Sequence, residues 1–145
     1  MRWSNIPIPE SHLVGLGIGA ILHLLFKQRI FHLPWTGYAI GLPLFIAGIG
    51  ICAWSVIEAK EMNVTSPNRL LKSGPYARSR NPMYVGWMFI CISITFVINS
   101  VWIIALLPMV IIYIHFLEIR NEERILEEQF GDEYHQYRRH VRRYF

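Results

Sequence analysis

Residues 83–117, MYVGWMFICISITFVINSVWIIALLPMVIIYIHFL, contain no Asp, Glu, Lys or Arg, and their length decides how this chain folds. As one helix the run would be about 52 Å long at about 1.5 Å per residue, far more than the roughly 30 Å hydrocarbon core of a bilayer. It is therefore predicted to fold back as a hairpin, with Asn99-Ser100 at the tip. Residues 11–26 and 34–57 are also free of Asp, Glu, Lys and Arg. The first is short for a span but extends to Arg29 if Lys27 and Arg29 snorkel their charges to the headgroups. The competing signal-peptide reading lacks a small-residue cleavage site, and Lys27-Gln28-Arg29 reads as a flank.

Composition agrees. The 145 residues have room for one domain, 53% of them are hydrophobic, and the mean hydropathy is +0.31. Charged residues make up 17%, against roughly 25% in ordinary soluble domains, and they are clustered. The expectation is an all-α integral membrane bundle of four transmembrane helices, about 11–29, 35–57, 82–98 and 101–117. A loop at 58–81 and a helical C-terminal segment at 118–145 complete a single domain. Four spans put Arg2, Lys60, Arg69, Lys72, Arg78, Arg80 and every basic residue after Leu117 on one side, against Lys27 and Arg29. By the positive-inside rule the termini and the long loop face the cytoplasm, and any site built from charged side chains lies there.

Several other classes are excluded. The net charge of +4 comes from basic residues flanking apolar runs, where anionic lipid headgroups are the expected partners and nucleic acid is not. Cys52 and Cys91 fall inside apolar runs at no metal or redox spacing, and no metal site is expected. Gly15-x-x-x-Gly19 and Gly37-x-x-x-Gly41 fit close helix approach. Gly15-x-Gly17-x-Gly19 and Gly48-x-Gly50 lack a preceding strand, which argues against a nucleotide loop. Pro43 and Pro108 fall mid-span and predict kinks.

The charged surface carries the chemistry. Gly74-Pro75-Tyr76 reads as a turn, and Asn81-Pro82 places an N-cap and a first helical residue at the membrane surface. The free N–H groups there, beside Arg78 and Arg80, suit a carboxylate or phosphate, from either a ligand or a lipid headgroup. Tyr84 and Gly86 follow just inside the helix. After the fourth span Ile119, Leu126 and Phe130 form one helical face that also carries Glu123. A carboxylate on a buried stripe needs either a loop arginine or a polar ligand. Glu122, Glu127 and Glu128 read as a solvated face, partly paired with Arg120 and Arg124. His115 lies two turns before Glu123, and is left outside the core site as an interfacial histidine. The basic and aromatic end, from Tyr134 onward, favours the membrane surface and is placed to cover the site.

Two blocks carry a family resemblance. Gly74-Pro75-Tyr76-Ala77-Arg78-Ser79-Arg80-Asn81-Pro82-Met83-Tyr84-Val85-Gly86 resembles the Gly-Pro-Tyr, Arg-His/Asn-Pro, Tyr and Gly signature of the isoprenylcysteine carboxyl methyltransferase and phospholipid methyltransferase superfamily of integral membrane enzymes. Glu122-Glu123-x-x-Leu126-x-x-x-Phe130-Gly131-x-x-Tyr134-x-x-Tyr137, followed by Val141-Arg142-Arg143, is similar to its C-terminal signature. The resemblance covers roughly residues 37–145. It implies S-adenosylmethionine bound at the cytoplasmic ends of the last helices, with Tyr76, Arg80, Asn81, Pro82, Tyr84, Gly86, Glu122 and Glu123 as its contacts. It also implies that Arg80, Glu123 and Arg143 serve the reaction, with Arg143 near a substrate carboxylate. Asn81 stands where many members have histidine.

Methyl transfer from a sulfonium needs positioning and water exclusion rather than a catalytic triad. The expected activity is methyl transfer to an amphiphilic, lipophilic or lipidated acceptor entering from the membrane, as in the isoprenylcysteine carboxyl methyltransferases. A phospholipid amine or a small thiol is an alternative acceptor. An NADPH-dependent sterol-reductase-like enzyme and a non-enzymatic membrane scaffold are further alternatives.

Overall fold

Every regular element in the computed structural model, which describes residues 10–60 and 68–144, is helical. Arg2, Phe145 and loop residues 61–67, which entered the expectations above, lie outside the described residues. Helix α1 runs over Glu10–Leu25, α2 over Pro34–Glu58, α3 over Pro82–Ile98 and α4 over Val101–Tyr113. A π-helical turn at Ile114–Glu118 carries α4 without a break into α5, Ile119–Phe130, and α6 follows at Asp132–His140. A short 3-10 turn at Gly74–Ala77 precedes α3.

The predicted hairpin is present. Asn99 closes α3 in the left-handed region, at φ 58° and ψ 46°, which asparagine tolerates better than most residues. Its side chain then reaches across the bundle. Oδ1 accepts from the N–H groups of Ile30 (2.9 Å) and Phe31 (2.7 Å), and Nδ2 donates to the Phe31 carbonyl (2.8 Å). This contact also explains a correction, because α1 ends at Leu25 and does not extend to Arg29. The backbone beyond Leu25 bonds the hairpin instead: the Val101 N–H donates to the Gln28 carbonyl and the Trp102 indole to the Phe26 carbonyl. Backbone groups that a longer helix would have used are satisfied by the tip.

Close helix contact follows the glycines, as their spacing predicts. Helix α1 packs on α4 and α2 on α3. A Cβ added at Gly15 would lie 2.5 Å from Val110 Cγ2, and one at Gly19 2.9 Å from the Ile103 Cα. One added at Gly41 would lie 3.0 Å from the Ser93 carbonyl oxygen, and one at Gly48 2.8 Å from that of Gly86. Pro43 and Pro108 lie inside α2 and α4.

The distribution of polarity is that of a protein in lipid. Ser55, Ser93 and Thr95 are buried, and each hydroxyl donates to a backbone carbonyl. Meanwhile Ile46 is 71% exposed, Met109 69% and Ile57 69%, within a broad apolar surface that water would disfavour. Two helical stretches, Trp35–Glu58 and the continuous Val101–Phe130, are long and apolar enough to cross a bilayer. Helices α1 and α3 are apolar but shorter. At about 1.5 Å per residue the Val101–Phe130 helix exceeds a hydrocarbon core, and its charged end, α5, is the part left over.

Candidate active site

Three segments converge at one end of the bundle: the start of α3, the π-turn with α5, and the chain after α6. The local sequence explains how each is held. Pro82 takes the first position of α3, where its missing N–H costs nothing, and is fully buried. Asn81 occupies the N-cap as expected, but its side chain makes no capping bond. Gly131 separates α5 from α6 at φ 48°, a value that side chains disfavour, and so turns α6 back toward the loop. There Tyr134 is fully buried, and the Tyr137 hydroxyl donates to the Tyr76 carbonyl at 2.6 Å.

The end of the chain then lies along the loop. The Arg80 N–H donates to the Arg142 carbonyl at 2.9 Å, and the Ser79 hydroxyl donates to the Arg143 carbonyl at 3.0 Å. The same Ser79 oxygen accepts from the Asn81 N–H at 3.2 Å. The C-terminal segment therefore covers the loop and the start of α3.

Glu123 is the centre of the arrangement. Its Oε1 accepts from Arg80 Nη1 at 2.9 Å and from Arg143 Nε at 3.1 Å, while Oε2 accepts from Arg143 Nη2 at 2.5 Å. Arg80 Nη1 also donates to the Tyr134 hydroxyl at 3.2 Å. Of the two fates open to a carboxylate on the buried stripe, pairing with a loop arginine is the one observed, with a second arginine added. Arg143 extends the chain by donating from Nη1 to His115 Nε2 at 2.8 Å. Because a guanidinium only donates, His115 Nε2 accepts here, so its proton sits on Nδ1, 2.8 Å from the Tyr144 oxygen. His115, left outside the core site on sequence grounds, thus belongs to it. It sits in a π-turn, a local widening that re-aims side chains and recurs at functional sites.

Glu122 departs from its expected place on a solvated face with Glu127 and Glu128. It is turned inward, and the Tyr84 hydroxyl donates to its Oε1 at 2.7 Å. Burial pushes the Glu122 carboxyl above its ordinary value; the Tyr84 bond works against this, and the charges of Glu118 and Glu123 add to it. The neighbouring Tyr76 phenol is pushed up to about 12, by burial first and then by Glu122 and Glu58. Glu127 and Glu128 do face solvent, beside His135 and Arg124 respectively.

The expected residues therefore divide. Arg80, Glu123 and Arg143 form one network, with Asn81 beside it, and Tyr84 with Glu122 lies next to it on the neighbouring turn. Tyr76 and Pro82 hold the loop and the helix start. Gly86 faces α2, where a Cβ would lie 2.5 Å from Cys52 Sγ, so its visible role is helix packing. Sequence reasoning weighed His115 and left it outside the core site, and quoted Ser79 and Tyr134 within the signature blocks without giving them a site role; the spacing of Tyr134 and Tyr137 on an otherwise polar helix was the available signal. Two buried donors in the site have no hydrogen-bond partner among the described residues: Arg80 Nε and Asn81 Nδ2.

A family model described as phospholipid methyltransferase matches residues 36–133, from the start of α2 into α6. The chain belongs to the phospholipid methyltransferase family. Membership places it in the integral membrane methyltransferase superfamily indicated by the two sequence blocks, and implies methyltransferase activity in a membrane protein. No curated protein and no solved structure matches the chain. The matched region contains Arg80, Asn81, Tyr84, Glu122 and Glu123; α1 and the arginines after α6 lie outside it.

Proposed function

We propose that this phospholipid methyltransferase family member transfers a methyl group from S-adenosylmethionine to the polar head of an amphiphilic acceptor, and that Arg80, Asn81, Glu122 and Glu123 hold the donor. Family membership supports the cofactor, since methyltransferases of this family use it. The observation that carries the site is the pair of unpartnered buried donors, Arg80 Nε and Asn81 Nδ2, beside an inward-turned carboxylate, Glu122. Buried donors left without acceptors are costly, and a carboxylate ligand removes that cost. The amino-acid part of the cofactor is a zwitterion, and this donor set matches it in sign: carboxylate to Arg80 and Asn81, ammonium to Glu122. Glu123 acts through the arginines, fixing both guanidinium groups.

The cofactor supplies a methyl group on a sulfonium with a good leaving group. The chain's contribution is to orient and to exclude water: the Arg142–Arg143 segment covers the loop, and Tyr134 and Tyr137 pin α6 under it. The membrane arrangement belongs to this reading. All four apolar helices cross or nearly cross the bilayer, the site lies at the cytoplasmic face, and membrane lipids surround the apolar belt. The acceptor enters from lipid beside α1, α3 and α4.

An amine-headgroup phospholipid is the favoured acceptor. The family description supports it, and so does one geometric observation: Arg143, matched by resemblance to an arginine near a substrate carboxylate, is already held by both Glu123 oxygens. A prenylcysteine carboxylate has no free guanidinium to meet there. Two measurements test the reading. S-adenosylhomocysteine at about 100 times its Kd is expected to stabilise the protein in detergent by about 2.7 kcal/mol, whereas NADPH has no effect. Labelled methyl transfer into phosphatidylethanolamine, a prenylcysteine analogue and a simple thiol identifies the acceptor. Unchanged cofactor affinity in folded Arg80→Ala and Glu123→Gln variants refutes the site, and stabilisation by NADPH alone refutes the class.

A further inference from the structure

Arg78, Arg139 and Arg142 are exposed, and their guanidinium groups have no ion pair or hydrogen bond among the described residues. Carboxylates of the two neighbouring helices are engaged elsewhere, Glu123 with Arg80 and Arg143, Glu127 with His135 and Arg138, and Glu133 with Lys72. Asp132 opens α6, at the opposite end from Arg139. The fold gathers the three free cations. The Arg80 N–H holds the Arg142 carbonyl at 2.9 Å, and the Ser79 hydroxyl holds that of Arg143 at 3.0 Å. Arg78, which precedes Ser79, and Arg142 therefore stand on adjoining stretches of chain. Arg139 lies in the last turn of α6, where the chain turns into this strap, residues 141–144.

Depth decides what these charges meet. Helix α3 has 17 residues, about 25 Å at about 1.5 Å per residue, which is less than the roughly 30 Å hydrocarbon core. On the membrane arrangement proposed above, Pro82 therefore lies at the hydrocarbon edge, and Arg80, with the Arg142 backbone bonded to it, lies in the headgroup layer. The π-turn gives the same depth from the other side. Its Phe116 and Leu117 are 55% and 56% exposed, apolar surface that belongs in lipid, and the adjoining His115 is bonded to the Tyr144 oxygen at 2.8 Å. The strap thus has an aromatic end at the hydrocarbon edge and an unpaired arginine just outside it, the arrangement that anchors chains at a bilayer interface.

We propose that Arg78, Arg139 and Arg142 form a docking surface for an acidic phospholipid, and that lipid bound there holds the strap against the loop. Charge complementarity chooses the partner. A guanidinium only donates, and it meets phosphate oxygens through paired bonds. In a zwitterionic headgroup the cation offsets the phosphate, whereas an acidic headgroup leaves its negative charge to the protein. Three unpaired guanidinium groups at headgroup depth therefore favour the acidic lipid. Arg142 belongs to the strap and Arg78 to the loop beneath it, so lipid phosphate shared between them adds to the two backbone-directed bonds that already join these segments. The surface depends on the membrane arrangement proposed above but not on the identity of the methyl donor.

The test uses the full chain without cofactor. Competition between phosphatidylglycerol and phosphatidylcholine for the protein in detergent, read by native mass spectrometry, should favour phosphatidylglycerol in the wild type. Arg142→Gln is expected to lower that preference about fivefold, the scale for one basic residue at an anionic surface, and the triple variant Arg78→Gln, Arg139→Gln, Arg142→Gln to abolish it. In nanodiscs, hydrogen exchange at residues 141–144 should slow several-fold when phosphatidylglycerol replaces part of the phosphatidylcholine, and about 1 M salt should remove the effect. Wild-type protein with no preference between the lipids overturns the proposal without recourse to any variant. So does a triple variant that keeps the preference within twofold, or exchange at the strap that ignores lipid charge. Glycerol phosphate that slows exchange as far as the lipid does marks a soluble-phosphate site and overturns the lipid assignment. Wild-type protein that fails to bind S-adenosylhomocysteine yet prefers phosphatidylglycerol removes the methyl-donor reading and leaves this surface standing.

Discussion

Replacing Glu123 by alanine is the most demanding test of the network. Its side chain is 9% exposed and meets two guanidinium groups, those of Arg80 (10% exposed) and Arg143 (22% exposed). Removing the carboxylate leaves Arg80 charged and buried, held among the described residues by the neutral Tyr134 hydroxyl. Removing one member of a buried ion pair costs about 3–5 kcal/mol, because the remaining charge is uncompensated. Arg143, being more exposed, recovers part of its loss from water, so the total stays in that range rather than doubling. With about 2–4 °C of melting temperature per kcal/mol in a chain of this size, the expected drop is about 6–20 °C. The assay is thermal unfolding in detergent followed by tryptophan fluorescence, for Glu123→Ala, Arg143→Ala and the double variant. Arg143→Ala alone should cost less, since Arg80 still neutralises Glu123. The double variant should be milder than the sum by about 1–3 kcal/mol, the coupling expected for residues in direct contact. A shift under about 2 °C for Glu123→Ala, or additivity within about 0.5 kcal/mol, refutes a network centred on this carboxylate.

Two further predictions concern the other pole of the bundle and the second carboxylate. Asn99→Ala loses three hydrogen bonds to residues 30 and 31 and should lower stability by about 2–4 kcal/mol while leaving S-adenosylhomocysteine affinity unchanged, because the latch lies at the opposite end; a change in affinity above threefold contradicts that separation. Burial raises the pKa of Glu122, so its ionised form is disfavoured by folding, and the stability it contributes is present below pH 4.5 and lost as pH rises through its folded value. Glu122→Gln should therefore melt above wild type at pH 7–8 and match it below pH 4.5, read from melting temperature against pH; a reversed or pH-independent difference refutes inward burial of this side chain.

Much of this was legible in residue order. The charge-free run at 83–117 could not cross a bilayer as one helix, and the adjacent polar pair Asn99-Ser100 lies near its middle, so the turn followed from length. The glycine spacing marked where helices approach, because a missing Cβ acts the same way in any packed helix pair. The two signature blocks named the family, and Glu123 on an apolar face called for either a loop arginine or a polar ligand. Sequence could not say how far α1 extends, since its end is set by Asn99, 68 residues or more away, competing for backbone groups. Glu122 looked solvated because helical periodicity separates faces of a single helix, whereas the presence of Tyr84 opposite it depends on how α3 and α5 dock.

The network at the site shows the same division. Local sequence determined that Arg80, Glu123 and Arg143 would lie outside the apolar runs, because those runs contain no charged residue. Only the tertiary structure decided that a single carboxylate is shared by both arginines, that a π-turn brings His115 to Arg143, and that a buried nitrogen of His12 is left without a partner among the described residues. Hydrophobicity is additive along a chain and can be read in order. Pairing depends on distances of a few ångströms between segments far apart in sequence, and these exist only once the helices have packed.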